Sequence, residues 1–256
     1  MIELKNVTKY YKTTKQHKKE KNNRISGKYF KGVDDISFTC QPGRVFGLLG
    51  PNGAGKTTTL RMISTILKPT SGTISVLGFD TTRQASEVRN HLGFLTGNTG
   101  LYDRLTAEEM VKYYADLYGM DKASYRQRRD KLFHLLGMEE FANRRNGKLS
   151  DGMKQKVSIA RTMIHDPQVI VFDEPTEGLD VMTSRSIINL IRLCRDEGKT
   201  VIFSTHRMGE VGQLCDDLAI IHNGRLFYNG TYKDFLSEMK TETLEDEFIR
   251  LTGEEA

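Results

Sequence analysis

An α/β fold built on a mostly parallel sheet is predicted by three features of this 256-residue sequence. Short, solid apolar runs recur along the chain. Longer stretches with helical spacing separate them, and the block from Leu105 to about Asn146 carries no strand pattern at all.

The first run, IELKNV (Ile2–Val7), alternates apolar and polar residues as a half-buried strand does. DDISFTC (Asp34–Cys40) is expected to pair with it as an antiparallel flap. VFGLL (Val45–Leu49), VIVF (Val169–Phe172) and VIFS (Val201–Ser204) are unbroken apolar runs, as expected of central parallel strands covered on both faces. Leu218–Gly230 reads as two strands around Asn223-Gly224, a strong hairpin signal.

In the middle block Thr106 and Glu109 form a capping box. The helix behind it is expected to bury Met110, Tyr114, Leu117 and Tyr118, and Asp121–Gly137 reads as a second helix. Residues from about 100 to 150 are therefore expected to form a helical subdomain inserted into one large domain, residues 1–240. A tail, 241–256, follows as a short amphipathic helix with Leu244, Phe248 and Leu251 on one side.

Composition narrows the function classes. No apolar run approaches the roughly 20 residues of a membrane span, and no N-terminal pattern suggests a secretory signal. Cys40, Cys194 and Cys215 are odd in number and lack metal-like spacing, which fits a reduced cytosolic compartment. The net charge of +5 is local: from Lys12 to Lys31 eight Lys or Arg face one Glu20, a charge of +7, leaving the remainder at −2. That segment, 12–31, is expected to be a solvated loop, with anionic lipid headgroups or an acidic partner as the sharper alternative.

GPNGAGKT (Gly50–Thr57) has the spacing of a phosphate-binding loop, between an apolar strand and a helix carrying Leu60, Ile63 and Leu67. Its glycines let backbone N–H groups turn inward, and the helix N-terminus adds a positive end. Lys56 is expected to reach β- and γ-phosphates and Thr57 to ligate Mg²⁺. In VIVFDEPTEGLD, Asp173 ends a buried strand beside those phosphates, as an Mg²⁺ ligand acting through water. Glu174 can accept a proton from an attacking water. His206 follows another apolar strand and is expected at the same edge.

A second turn, KLSDGMKQK, places Ser150 as the cap of a helix with Met153, Val157, Ala160 and Ile164 on its apolar face. With this turn, the motifs resemble the ATP-binding subunit of an ABC transporter over essentially the whole chain. GPNGAGKT is similar to that family's Walker A motif, VIVFDEP to Walker B with its catalytic glutamate, EGLD to the D-loop, STH to the switch histidine and LSDGM to the LSGG signature.

The resemblance implies a P-loop NTPase domain of the ABC type, with an antiparallel β subdomain and a helical subdomain. It implies ATP and Mg²⁺ as ligands and hydrolysis as the chemistry, with Glu174 and His206 catalytic. Gly50, Pro51, Asn52, Gly53, Ala54, Gly55, Lys56, Thr57 and Thr58 would bind the nucleotide, and Thr57 and Asp173 the metal. Tyr11 would stack on adenine, with Tyr10 and Tyr29 as rivals. Ser150, Asp151, Gly152 and Asp180 would reach the nucleotide of a partner in a head-to-tail homodimer or heterodimer. A separate multi-span permease is implied, with the chain cytoplasmic and peripheral on the membrane.

Two departures stand out. Asp151 replaces the first signature glycine, and Gly97 stands where the family's Q-loop has glutamine, leaving Asn98 or water as substitutes. LTGNTGLYDRLT, GMKQKVSIARTMIHDP and LEDEFIRLTG resemble the bacterial sodium-extruding exporter branch, which makes sodium the leading substrate. Two rivals remain at this level. One is a soluble ABC ATPase acting on ribosomes or nucleic acid, a partner not expected from a single cassette without coiled-coil insertions. The other is a regulatory ATP-binding protein that hydrolyses little.

Overall fold

A computed structural model describes residues 1–13, 24–96 and 100–253. Two sheets organise it. The parallel sheet runs β11-β10-β4-β9-β8-β7: β11 Arg225–Thr231, β10 Asp217–His222, β4 Val45–Leu49, β9 Thr200–Thr205, β8 Val169–Asp173 and β7 Leu92–Thr96. Every residue of β4, β8, β9 and β10 is buried, which is why these runs are solidly apolar. Only β11 is antiparallel, turned back through Asn223-Gly224 so that His222 faces Arg225.

Register then decides where the site forms. Leu49 pairs with Thr205, Asp173 with Ser204, and Thr96 with Asp173. The residues just after β4, β8 and β9 therefore emerge side by side at the carboxyl edge.

The second sheet, β2-β3-β1-β5-β6, is antiparallel: β1 Ile2–Lys12, β2 Ile25–Ser26, β3 Tyr29–Cys40, β5 Ser71–Val76 and β6 Phe79–Asp80. β1 and β3 run further than the alternation indicated, because register shifts near Val7 and Lys9 let them keep pairing past Asn6. A core between the sheets holds Phe38 stacked on Phe46, ring centroids 4.9 Å apart, with Leu60, Met62 and Ile63 of α1 (Lys56–Ile63). Helix α1 ends at Ile63, so Leu67 packs against this core from beyond the helix rather than on its face. The short α2 (Ala85–His91) follows.

The opposite face carries α3 (Ala107–Leu117), α4 (Lys122–Leu136), α5 (Asp151–Met163) and α6 (Val181–Asp196) around a second core. The Thr106–Glu109 capping box forms as expected, and Asp121 caps α4. The buried face of α3 differs from expectation. Met110 is buried and Tyr114 packs against the core as expected, but Ala107, Val111 and Ala115 complete the face and Leu117 is 64% exposed. Small alanines let α3 approach its neighbouring helices closely, so the stripe turns away from the bulkier Leu117 and Tyr118. A third core joins Leu49, Val211 of α7 (Met208–Leu214), Phe235 of α8 (Tyr232–Glu238) and Phe248 of α9 (Leu244–Thr252), with Leu244 and Leu251 packed at its edge. Among the described residues no helix is long and apolar enough to cross a membrane.

Candidate active site

The GPNGAGKT turn leaves β4 where side chains do not fit. A Cβ on Gly50 would lie 2.1 Å from the Ile221 carbonyl oxygen. Gly55 has φ +113° and a Cβ there would meet the Gly32 carbonyl oxygen at 2.8 Å. Only glycine accepts both the angle and the approach. Gly55 also precedes the first turn of α1 without a side-chain cap, so that turn's N–H groups face the loop. Lys56, 4% exposed, folds back and donates to the carbonyls of Gly50 (2.6 Å) and Pro51 (3.1 Å).

The Lys56 ammonium also lies 3.1 Å from Glu174 Oε1. On the other side of that carboxylate, His206 Nδ1 lies 2.8 Å from Oε2. Glu174 is thus gripped from the start of α1 and from the end of β9. Its backbone has φ +50°, a left-handed turn costly for a non-glycine residue, and its N–H donates to Ser204 Oγ at 3.0 Å. Asp173, 7% exposed, accepts from Ser204 Oγ (2.8 Å) and Thr57 Oγ1 (3.0 Å). Thr96 Oγ1 lies 3.5 Å from its other oxygen.

Near the loop helix, the Tyr11 hydroxyl lies 3.3 Å from Thr58 Oγ1, and the ring covers Gly32. Tyr10 and Tyr29 instead face each other, ring centroids 6.4 Å apart.

The KLSDGMKQK turn has another character. Ser150 Oγ accepts from Met153 N at 3.3 Å and caps α5. Asp151 points outward with a side chain 93% exposed, and Lys154 lies 3.8 Å away. Gly152 packs beside Asp180 and Thr183, where a Cβ would meet Thr183 Oγ1 at 3.0 Å. Asp180 accepts from the Thr183 N–H (2.9 Å) and hydroxyl (2.7 Å), and those bonds hold its carboxyl below the usual range. Signature and D-loop residues therefore form one outward patch. Among the described residues, no hydrogen bond or ion pair joins Ser150, Asp151, Gly152 or Asp180 to residues 50–58.

Comparison with known proteins now decides the family. The ABC transporter family profile matches residues 33–177. The chain belongs to the ABC transporter ATP-binding family. It is an ATPase of that class. The ABC transporter ATP-binding protein NatA of Bacillus subtilis (strain 168) is 46% identical over 218 residues, covering 85% of this chain and 89% of that protein. Among solved structures, an ATP-binding subunit of an ABC transporter matches 98% of this chain and 99% of that chain, at 26% identity and TM-score 0.83. A dimeric ATP-binding cassette in a post-hydrolysis state with ADP and Pi matches 90% of this chain and 98% of that one, at 27% identity and TM-score 0.77.

Within this ABC ATPase, the motif residues of the loop, Asp173, Glu174 and His206 converge as the spacing indicated. Three groups escaped the sequence reading. Ser204 bonds both the Asp173 carboxylate and the Glu174 backbone. Gln155 Nε2 donates to the Pro175 carbonyl at 2.9 Å, tying the signature helix to the turn after Glu174. Arg24, counted among solvated charges, is 8% exposed and donates to the Gly53 carbonyl at 2.7 Å. The signal available for Ser204 was its place directly before Thr205-His206 on an otherwise apolar strand; nothing local marks Gln155 or Arg24. Gly97, Asn98 and residues 14–23, the interior of the basic segment, lie outside the described residues.

Proposed function

We propose that this chain is the ATP-hydrolysing subunit of an exporter, working through a separate multi-span permease, with sodium ions as its cargo. The observation that carries the chemistry is the Glu174 carboxylate, held between Lys56 and His206 at the edge where the phosphate loop opens. Export of sodium rests on the resemblance of LTGNTGLYDRLT, GMKQKVSIARTMIHDP and LEDEFIRLTG to the sodium-extruding exporter branch. Similarity to the ATP-binding protein NatA along most of both chains supports the transporter part of the reading. On this reading the chain works at the cytoplasmic face of the membrane. For segment 12–31, lipid contact has less charge to use than the count implies: Arg24 is buried on the loop and Lys31 pairs with Asp34 at 3.1 Å.

ATP is held with its phosphates in the Gly50–Thr58 turn and its adenine against Tyr11. A γ-phosphate arriving at Lys56 competes with Glu174 for the ammonium, since both are anions seeking the same donor. The freed carboxylate then takes a proton from the water that attacks phosphorus in line, while Lys56 and His206 offset charge on the transferring group. The residues present fit Mg²⁺: Thr57 Oγ1 and Asp173 Oδ1 are hard oxygen donors 3.0 Å apart. Thr57 would hold the ion and Asp173 would anchor its shell through water. When bound, Mg²⁺ would supply positive charge that offsets the charge of the phosphates.

The outward patch of Ser150, Asp151, Gly152 and Asp180 completes the site of a second copy or a related chain, two ATPs being enclosed head-to-tail. The dimeric cassette at TM-score 0.77 supports this arrangement. The test is Glu174→Gln isolated with MgATP from its own membranes in mild detergent. Turnover is expected to fall at least about 100-fold while ATP stays bound, with the protein dimeric and a multi-span partner in stoichiometric amount. Unchanged turnover refutes Glu174 as the base, and ribosomal proteins or nucleic acid in place of a membrane partner refute transport.

A further inference from the structure

Carbonyls of the phosphate loop are held by several donors, and one of them is held by a side chain from outside the family's motifs. Lys56 takes the carbonyls of Gly50 and Pro51, and the hairpin N–H of Gly224 takes that of Ala54 at 2.8 Å. The Gly53 carbonyl is taken by Arg24 Nη1 at 2.7 Å. We propose that Arg24 is a positioning residue for nucleotide binding, clamping the crown of the phosphate loop to the antiparallel sheet. This rests on the reading that Gly50–Thr58 holds the phosphates of ATP.

The guanidinium is built into its place. Nη2 donates to the Gly32 carbonyl at 2.7 Å and Nε to the Lys31 carbonyl at 2.8 Å. Its carbon sits 4.5 Å from the centroid of the Phe30 ring. Gly32 is the same residue against which Gly55 packs, so Arg24 and the loop share one platform on β3. A planar fork with five N–H groups can serve three carbonyls lying in different directions; an ammonium on a flexible stem cannot do so with fixed geometry.

Gly53 needs such a holder. Its φ is +80°, and a Cβ there would find nothing within 4 Å. A glycine in open space has the widest conformational freedom of any residue. The Gly53–Ala54 peptide is held at both ends, by Arg24 on its oxygen and by the Pro51 carbonyl on its N–H at 3.2 Å. From this fixed plane the chain enters Gly55, Lys56 and Thr57 with their N–H groups facing the phosphates. Loss of the clamp lets that plane rotate, and a misdirected N–H no longer meets an oxygen. The cost falls on phosphate binding, not on Glu174 or His206, which Arg24 does not touch.

The experiment compares full-length wild type with Arg24→Gln, Arg24→Lys and Lys56→Ala, measuring ATP and ADP affinity with KM and kcat. Arg24→Gln is expected to raise KM and the Kd of both nucleotides about tenfold, the size of a lost charged hydrogen bond, with kcat at saturation near wild type. Arg24→Lys, which keeps the charge but not the fork, is expected to raise KM about threefold. If Arg24→Gln does not fold, the Lys variant decides alone, a wild-type KM in it overturning the clamp. A wild-type KM in Arg24→Gln, or a fall in kcat at unchanged KM, also overturns it. Lys56→Ala separates the two levels: normal nucleotide affinity there would remove the loop as the nucleotide site and the clamp with it.

Discussion

The phosphate loop and the signature turn are both small-residue turns opening onto a helix N-terminus, yet the chain treats them in opposite ways. Around the loop, side chains and carbonyls are bonded inward: Lys56 to Gly50 and Pro51, Thr57 to Asp173, Arg24 to Gly53. At the signature, among the described residues, Ser150 bonds only within its own helix cap, and the Asp151 side chain is 93% exposed. A site whose groups already satisfy one another can bind within a single chain. On the reading proposed above, the patch of Ser150, Asp151, Gly152 and Asp180 is one half of a site whose nucleotide arrives with a second copy or a related chain.

The largest effect should therefore separate the two edges. Lys56→Ala is expected to lose ATP binding and turnover by about 100-fold or more, whereas Ser150→Ala should bind ATP normally and lose turnover alone. Filter binding and phosphate release on the same preparations check this, and equal loss of binding in both variants would break the contrast.

The signature helix must also be anchored at its far end, and His165 does this by stacking flat on Tyr118, ring centroids 3.7 Å apart. Burial pushes the His165 pKa down to about 4, outweighing the pull of Asp166. The folded chain thus keeps His165 neutral while the unfolded chain protonates it near pH 6.5. Stability is fully present above that pH and falls as pH drops towards about 4, by at most about 3 kcal/mol. Urea titrations at stepped pH should show this slope, and His165→Phe should flatten it.

Ser204→Ala comes next. It strips one bond from Asp173 and one from the Glu174 backbone, for an expected loss of about 1–2 kcal/mol in stability and a raised Mg²⁺ requirement. Denaturation together with a Mg²⁺ titration of turnover measures both. The smallest change is Asp151→Gly in a Glu174→Gln background. If the proposed dimer sets this exposed carboxylate against a partner's nucleotide, its removal should tighten the MgATP dimer only about two- to fivefold, and less at high salt, read by sedimentation. An unaltered dimer constant would place Asp151 outside the contact.

Much of the inward edge was legible because its instructions are local. GPNGAGKT encodes strand, turn and helix start within eight residues, Asn223-Gly224 encodes a reversal, and VIVF and VIFS are apolar because both faces are covered. What escaped reading depends on residues far apart in the chain. Arg24 and Gly53 are 29 positions apart, and Ser204 and Asp173 are 31 apart. The α3 stripe was misread for a related reason: Leu117 is more apolar than Ala115, but the neighbouring helices select the smaller side chain.

By itself, then, the sequence specified which chemical groups this ATPase owns: a phosphate loop, two successive carboxylates, a histidine after a buried strand and a serine-capped second turn. These are properties of short segments, where spacing and backbone permissiveness leave few alternatives. Tertiary structure alone decided their relations. Register across β4, β9 and β8 set Glu174 between Lys56 and His206, and folding removed Arg24 from a basic segment to the crown of the loop. Distances between side chains depend on how sheets and helices pack, and packing is a property of the whole chain.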